Sequence, residues 1–142
     1  MGCDIHLHIE VKIHGKWEHW GNPAIDRNYD LFAVMAGVRN NGDIIPLSEP
    51  KGLPANLTTV TQFAYDYEKP DAHSMSWLSL KEIGKVDAYI AGIATTEKRW
   101  YDFEYHVLHS YLLGNSFAGI GTYPEDRPKG INDVRFIFWF DN

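Results

Sequence analysis

The sequence predicts an α+β fold in which an antiparallel sheet, made of an N-terminal hairpin and a C-terminal strand, is covered by helices. Three observations carry that expectation. Residues 4–13, DIHLHIEVKI, alternate polar and apolar side chains with the period of a strand. The stretches NYDLFAVMAGVRN and TTEKRWYDFEYHVLHSYLLGN repeat apolar residues at helical spacing. The terminal VRFIFWFDN alternates again, with apolar residues on both faces. A chain of 142 residues with 44% hydrophobic content suffices for one core, so residues 1–142 are read as a single compact domain.

In the first strand Ile5, Leu7, Ile9, Val11 and Ile13 form the apolar stripe, and Asp4, His6, His8 and Glu10 form the polar one. His14-Gly15 supplies a two-residue turn, which sets Ile13 opposite Lys16, Lys12 opposite Trp17 and Glu10 opposite His19. His19 and Trp17 thereby join the polar face. The first helix carries Leu31, Phe32, Met35 and Val38 inward, with Asn28 as N-cap and Asp30 in the first turn. Prolines and glycines between Arg39 and Asn56 read as a structured loop. NLTTVTQFAYDY suits either a short helix capped by Asn56 or a strand.

Ser79 followed by Glu82 is a capping box, which starts a short helix at Leu80 and leaves Asp71, His73, Ser74 and Ser76 in the loop before it. The helix from Lys98 is the longest, with Trp100, Phe103, Val107 and Tyr111 inward, Gly114 as its stop, and Asp102, His106 and His109 on a separate face that reads as solvated. GIGTYPEDRPKGIND is turn-rich. The last strand is placed centrally in the sheet, with a helix on one side.

Composition narrows the function classes. Cys3 is the only cysteine, which excludes an intramolecular disulfide, fits a reducing compartment and reads as core filler. No charged-then-apolar leader and no apolar run of membrane-spanning length is present, so a cytoplasmic protein with no membrane association is expected. A net charge of -6 argues against coating extended nucleic acid. A small anionic ligand held by a few arginines fits that balance, and oligomerisation stays open.

GCDIHLHIE, NYDLFAVMAGVRN, GLP, DAHSMSWLSL and VRFIFWFDN, taken in order from end to end, resemble a family of small uncharacterised proteins common in tailed-phage genomes. The resemblance implies a phage-encoded host-interaction or anti-defence role in the cytoplasm of an infected cell. It brings no chemistry of its own.

The chemistry comes from the residues. His6, His8 and His73 with Asp4 and Asp71 are the candidate catalytic set, because imidazole and carboxylate serve both as acid and base near neutral pH and as ligands for Mn, Zn or Fe. Asp4, His6, His8 and His73 are the candidate metal ligands. The competing reading makes the polar stripe the solvated face of an edge hairpin. Arg39 and Arg135, with Arg127, are candidates for phosphate, Trp17 and Trp77 for stacking on a base, and Ser74 and His19 for further substrate contacts. A serine nucleophile beside His73 is the minor reading, since no nucleophile elbow is present. The expected function is hydrolysis of a phosphodiester-type bond in a small, cyclic nucleotide signal, with either no cofactor or a divalent Mn or Zn ion. The alternatives are a sponge that binds such a nucleotide uncleaved and a protein inhibitor of a host enzyme.

Overall fold

The computed structural model describes residues 2–40, 44–97 and 129–142. β1 (Asp4–Ile13) turns into β2 (Lys16–Gly21). His14 and Gly15 both have positive φ, as a tight hairpin turn with the twist of its strands requires. The expected register holds: Ile13 pairs with Lys16, Lys12 with Trp17 and Glu10 with His19, with a bulge between Ile9 and Glu10.

α1 (Tyr29–Ala36) starts where Asn28 accepts the Leu31 amide at 3.0 Å. It stops earlier than the apolar spacing suggests. Gly37 adopts the left-handed conformation, its amide bonds the Ala33 carbonyl at 2.8 Å, and Val38 returns to the core beyond the helix.

α2 (Thr59–Glu68) resolves the ambiguity of the threonine-rich stretch in favour of a helix, with a corrected cap. Thr58, not Asn56, accepts the Thr61 amide, because the Asn56 side chain is engaged by the Arg135 guanidinium at 2.9 Å.

β3 (His73–Ser79) replaces the loop expected before the capping box. α3 (Leu80–Glu97) then begins at the expected residue but runs 18 residues, so it is not short. The Glu82 amide donates to Ser79 Oγ at 3.2 Å and the Ser79 amide to Glu82 Oε1 at 3.0 Å. Removing this reciprocal cap in Ser79→Ala is expected to lower stability by about 1 kcal/mol in chemical denaturation. A change below about 0.3 kcal/mol would show that α3 is held by packing alone.

β4 (Ile131–Asp141) lies centrally, antiparallel to β1 and β3, in the order β2-β1-β4-β3. The outer edge of β3 is met by the 51–52 segment: the Gly52 amide bonds the Met75 carbonyl at 2.9 Å and the Lys51 amide bonds Ser76 Oγ at 3.0 Å. Arg127 and the expected helix and turn over 98–128 lie outside the described residues, and β4 begins at Ile131, inside the stretch GIGTYPEDRPKGIND expected as turn.

One face of the sheet is the core. Ile5, Leu7, Ile9 and Val11 meet Val134, Phe136, Phe138, Phe140 and Leu78, and α1 and α3 close over them with Leu31, Phe32, Met35, Ile83 and Val86. Each large side chain buried here contributes roughly 1.5–3 kcal/mol. Cys3 joins this core, where burial pushes its thiol pKa up and keeps it protonated. The opposite face carries the polar stripe. It is not left to solvent, because α2 packs across it: Tyr65 meets Trp139 edge-on with ring centroids 5.3 Å apart, and Thr61 is fully buried. Helices therefore lie on both sides of the sheet.

Candidate functional site

Four positions along β1 acquire different partners on the face beneath α2. Paired residues in antiparallel strands share a face, so Asp4, His6, His8 and Glu10 lie beside Asp141, Trp139, Ile137 and Arg135 of β4. The sheet-facing side of α2 presents Thr61, Tyr65 and Glu68 at i, i+4 and i+7.

At the end near the β4 terminus, His6 Nε2 lies 2.8 Å from Asp141 Oδ2 and 3.9 Å from Glu68 Oε2. Ligand atoms of these three half-buried side chains fall within 4.8 Å of one another. One imidazole and two carboxylates, drawn from three separate elements, form a donor set suited to Zn or Mn and leave coordination positions for water or substrate. Neither Asp141 nor Glu68 was among the expected ligands. No local sequence signal joins them to His6: Asp141 reaches it diagonally across the β1–β4 pair, in which His6 stands opposite Trp139, and Glu68 reaches it from α2.

The other expected ligands do not converge here. Asp4 is exposed and held by Arg27 at 2.6 and 3.1 Å, which keeps its carboxyl below the ordinary range. His8 is buried, and its Nδ1 lies 3.0 Å from His19 Nε2. Burial first, and then the neighbouring His19, push the His8 pKa down to about 4, and burial lowers that of His19 as well. The two rings are therefore a neutral pair at pH 7, one donating and the other accepting. Trp139 stacks between His6 and His8, with centroid distances of 6.1 and 5.2 Å and both interplanar angles 17°.

Glu10 is fully buried. Its Oε1 accepts Arg135 Nε and Nη2 at 2.9 and 2.6 Å, and its Oε2 accepts the Thr58 amide, Thr58 Oγ1 and Thr61 Oγ1 at 3.0, 2.6 and 2.7 Å. Burial opposes ionisation, and these hydrogen bonds together outweigh it, leaving the pKa below the usual carboxylate value. This carboxylate occupies the place at the α2 N-terminus that an external anion would take. Arg135, a candidate for phosphate, is spent on Glu10, on Asn56 and on the face of Trp17, 4.0 Å from the ring centroid. Trp17 accordingly offers that face to Arg135 and not to a base.

A cleft of about 630 Å³ opens between β2 and the start of α2, lined by Trp17, His19, Asn56, Thr58 and Thr59 among others. Its size lies within the range of small-molecule sites. Trp77 is remote from it in role: Lys51 sits over its ring at 4.3 Å while also pairing with Glu82 at 2.7 Å.

His73 pairs with Phe140, which belongs to the core face, so it lies on the other side of the sheet from His6 and His8. Ser74 adjoins it, Arg39 reaches Asn142 nearby, and Asp71 is exposed beyond the end of α2. The expected meeting of the hairpin's polar face with an Asp71-His73 loop is thus replaced by two separate groups: His6–Glu68–Asp141 on one side, and His73–Ser74–Asn142 on the other. No helix among the described residues is long and apolar enough to cross a membrane. Comparison with protein-family models, curated proteins and solved structures gave no match in any of the three.

Proposed function

We propose that the chain hydrolyses a phosphodiester-type bond in a small nucleotide with a divalent Mn or Zn ion held by His6, Glu68 and Asp141. The convergence of these three side chains from β1, α2 and β4 carries the reading. Such an ion would polarise a phosphoryl oxygen and lower the pKa of a bound water. The half-buried setting leaves it open to substrate, and the cleft beside His19 and Asn56 would take the rest of the nucleotide. Resemblance to tailed-phage proteins supports a cyclic nucleotide immune signal of the host cell, met in its cytoplasm.

Incubation with a panel of cyclic and linear nucleotides, with Mn or Zn and after chelation, tests this by chromatography of the products. Conversion is expected to stop on chelation, to return with metal, and to fall about 100-fold or more in His6→Ala and Asp141→Asn.

The second reading is a sponge. Its support is separation: the steps along β1 from His6 to Glu10 span roughly 13 Å, so a mononucleotide resting in the cleft would not reach the metal group. Depletion of one nucleotide with intact recovery on denaturation would establish the sponge. Neither conversion nor depletion would remove both readings.

A further inference from the structure

We propose that Ser74, His73 and Asn142 form a nucleophile, base and positioning residue, a second reactive centre that needs no metal and acts on esters carrying a negative charge near the scissile bond. It goes beyond the metal reading and does not depend on it.

Adjacent residues of a regular strand point to opposite faces and cannot join side chains. Here a bulge between His73 and Ser76 breaks the alternation, and Ser74 takes φ +55°, a left-handed conformation uncommon outside glycine. The result brings Ser74 Oγ to 3.0 Å from Nδ1 of its own neighbour. Backbone strain of this sort is concentrated where a side chain must be re-aimed.

The direction of the proton follows from the far side of the ring. His73 Nε2 lies 3.3 Å from Asn142 Oδ1, and Arg39 Nη2 donates to the same oxygen at 3.3 Å. An amide oxygen only accepts, so His73 carries its proton on Nε2 and leaves Nδ1 with a free lone pair. The Ser74 hydroxyl then donates to Nδ1, which is the relation of a nucleophile to its general base. Stacking on Phe140, 6.2 Å between centroids and 27° between planes, fixes the ring. His73 and Ser74 are both half-buried and so reachable from solvent. Arg39 is exposed on the Asn142 side of the His73 ring, and its positive charge there favours an anionic ester.

In the step, Ser74 Oγ bonds to the acyl carbon or phosphorus, its proton passes to His73 Nδ1, and the alcohol leaves with that proton. Water then reverses the sequence, releasing the acid and restoring Ser74.

A fluorophosphonate probe tests the first half directly: an Oγ–P bond forms, the P–F bond breaks, fluoride leaves and the proton goes to His73. One adduct per folded chain is expected, mapped to Ser74 by peptide mass spectrometry and unchanged by chelator. Ser74→Gly, which suits the positive φ and so keeps the fold, should abolish it. His73→Gln should slow labelling about 100-fold or more. Asn142→Ala should slow it with an unaltered circular dichroism spectrum, and Asn142→Asp, which keeps an acceptor, should restore it. No adduct at Ser74 in the folded protein, or equal rates in wild type and His73→Gln, would overturn the proposal. Failure of Asn142→Asp to rescue would overturn the positioning role. Because labelling needs neither metal nor nucleotide, it stands or falls separately from the nucleotide assay.

Discussion

Glu10→Gln is expected to destabilise the protein by about 3–5 kcal/mol, lowering the midpoint of thermal unfolding by about 10 °C or more. The side chain of Glu10 is 0% exposed and that of Arg135 6%. The amide keeps the shape but leaves the guanidinium buried without a counter-charge, and it weakens the bonds that tie Thr58 and Thr61 to the sheet. The larger cost is the stranded Arg135, not the lost pair. A double replacement, Glu10→Met with Arg135→Met, should therefore recover part of the loss: it removes the stranded charge but leaves the Thr58 amide and the Thr58 and Thr61 hydroxyls without this acceptor. A single-variant loss below about 1 kcal/mol would show that water reaches this network.

Acid should weaken the fold in two windows. His8 has its pKa depressed from 6.5 to about 4, so the folded state favours the neutral ring. Its contribution is fully present above pH 6.5 and is lost as pH falls through about 4, a change of about 3 kcal/mol. Protonating both rings of the His8–His19 pair sets two donors and two positive charges against each other in place of their hydrogen bond. Glu10, depressed from 4.5, adds a second decline below that value as its carboxylate is neutralised. Urea unfolding from pH 7 down to about pH 3 should show both limbs, and His8→Leu should flatten the first while leaving the second. A wild-type stability constant from pH 7 to 4.5 would refute the burial of His8.

How far these features can be read from the sequence depends on which period the chain obeys. The hairpin register was legible because a two-residue turn joins strands of alternating side chains, and the central place of β4 because both its faces are largely apolar. The α2 helix was harder to place, since its pattern is inverted. Val60, Phe63 and Tyr67 face outward at 54, 76 and 78% exposure, while the side toward the sheet carries Thr61, Tyr65 and Glu68. A hydrophobic stripe therefore points away from the packing surface. Both readings of the polar strand face, solvated or open site, missed that a helix would cover it with a matching polar stripe. The His73–Ser79 strand was hidden by its bulge, which removes the period-two signal at Ser74. Glu68 and Asp141 were invisible as a pair with His6 because nothing local joins residues 6, 68 and 141.

The edges of the sheet bear on behaviour at high concentration. An open antiparallel sheet ends in two rows of backbone groups that can recruit a strand from another molecule. β2 is short, six residues, and alternates exposed Lys16 and Glu18 along its edge. On the far side, the Ser74 bulge interrupts β3 and the 51–52 segment already occupies the Met75 carbonyl. Among the described residues neither border offers a long flat template, so the fold resists polymerising through its strands although β4, at its centre, is largely apolar.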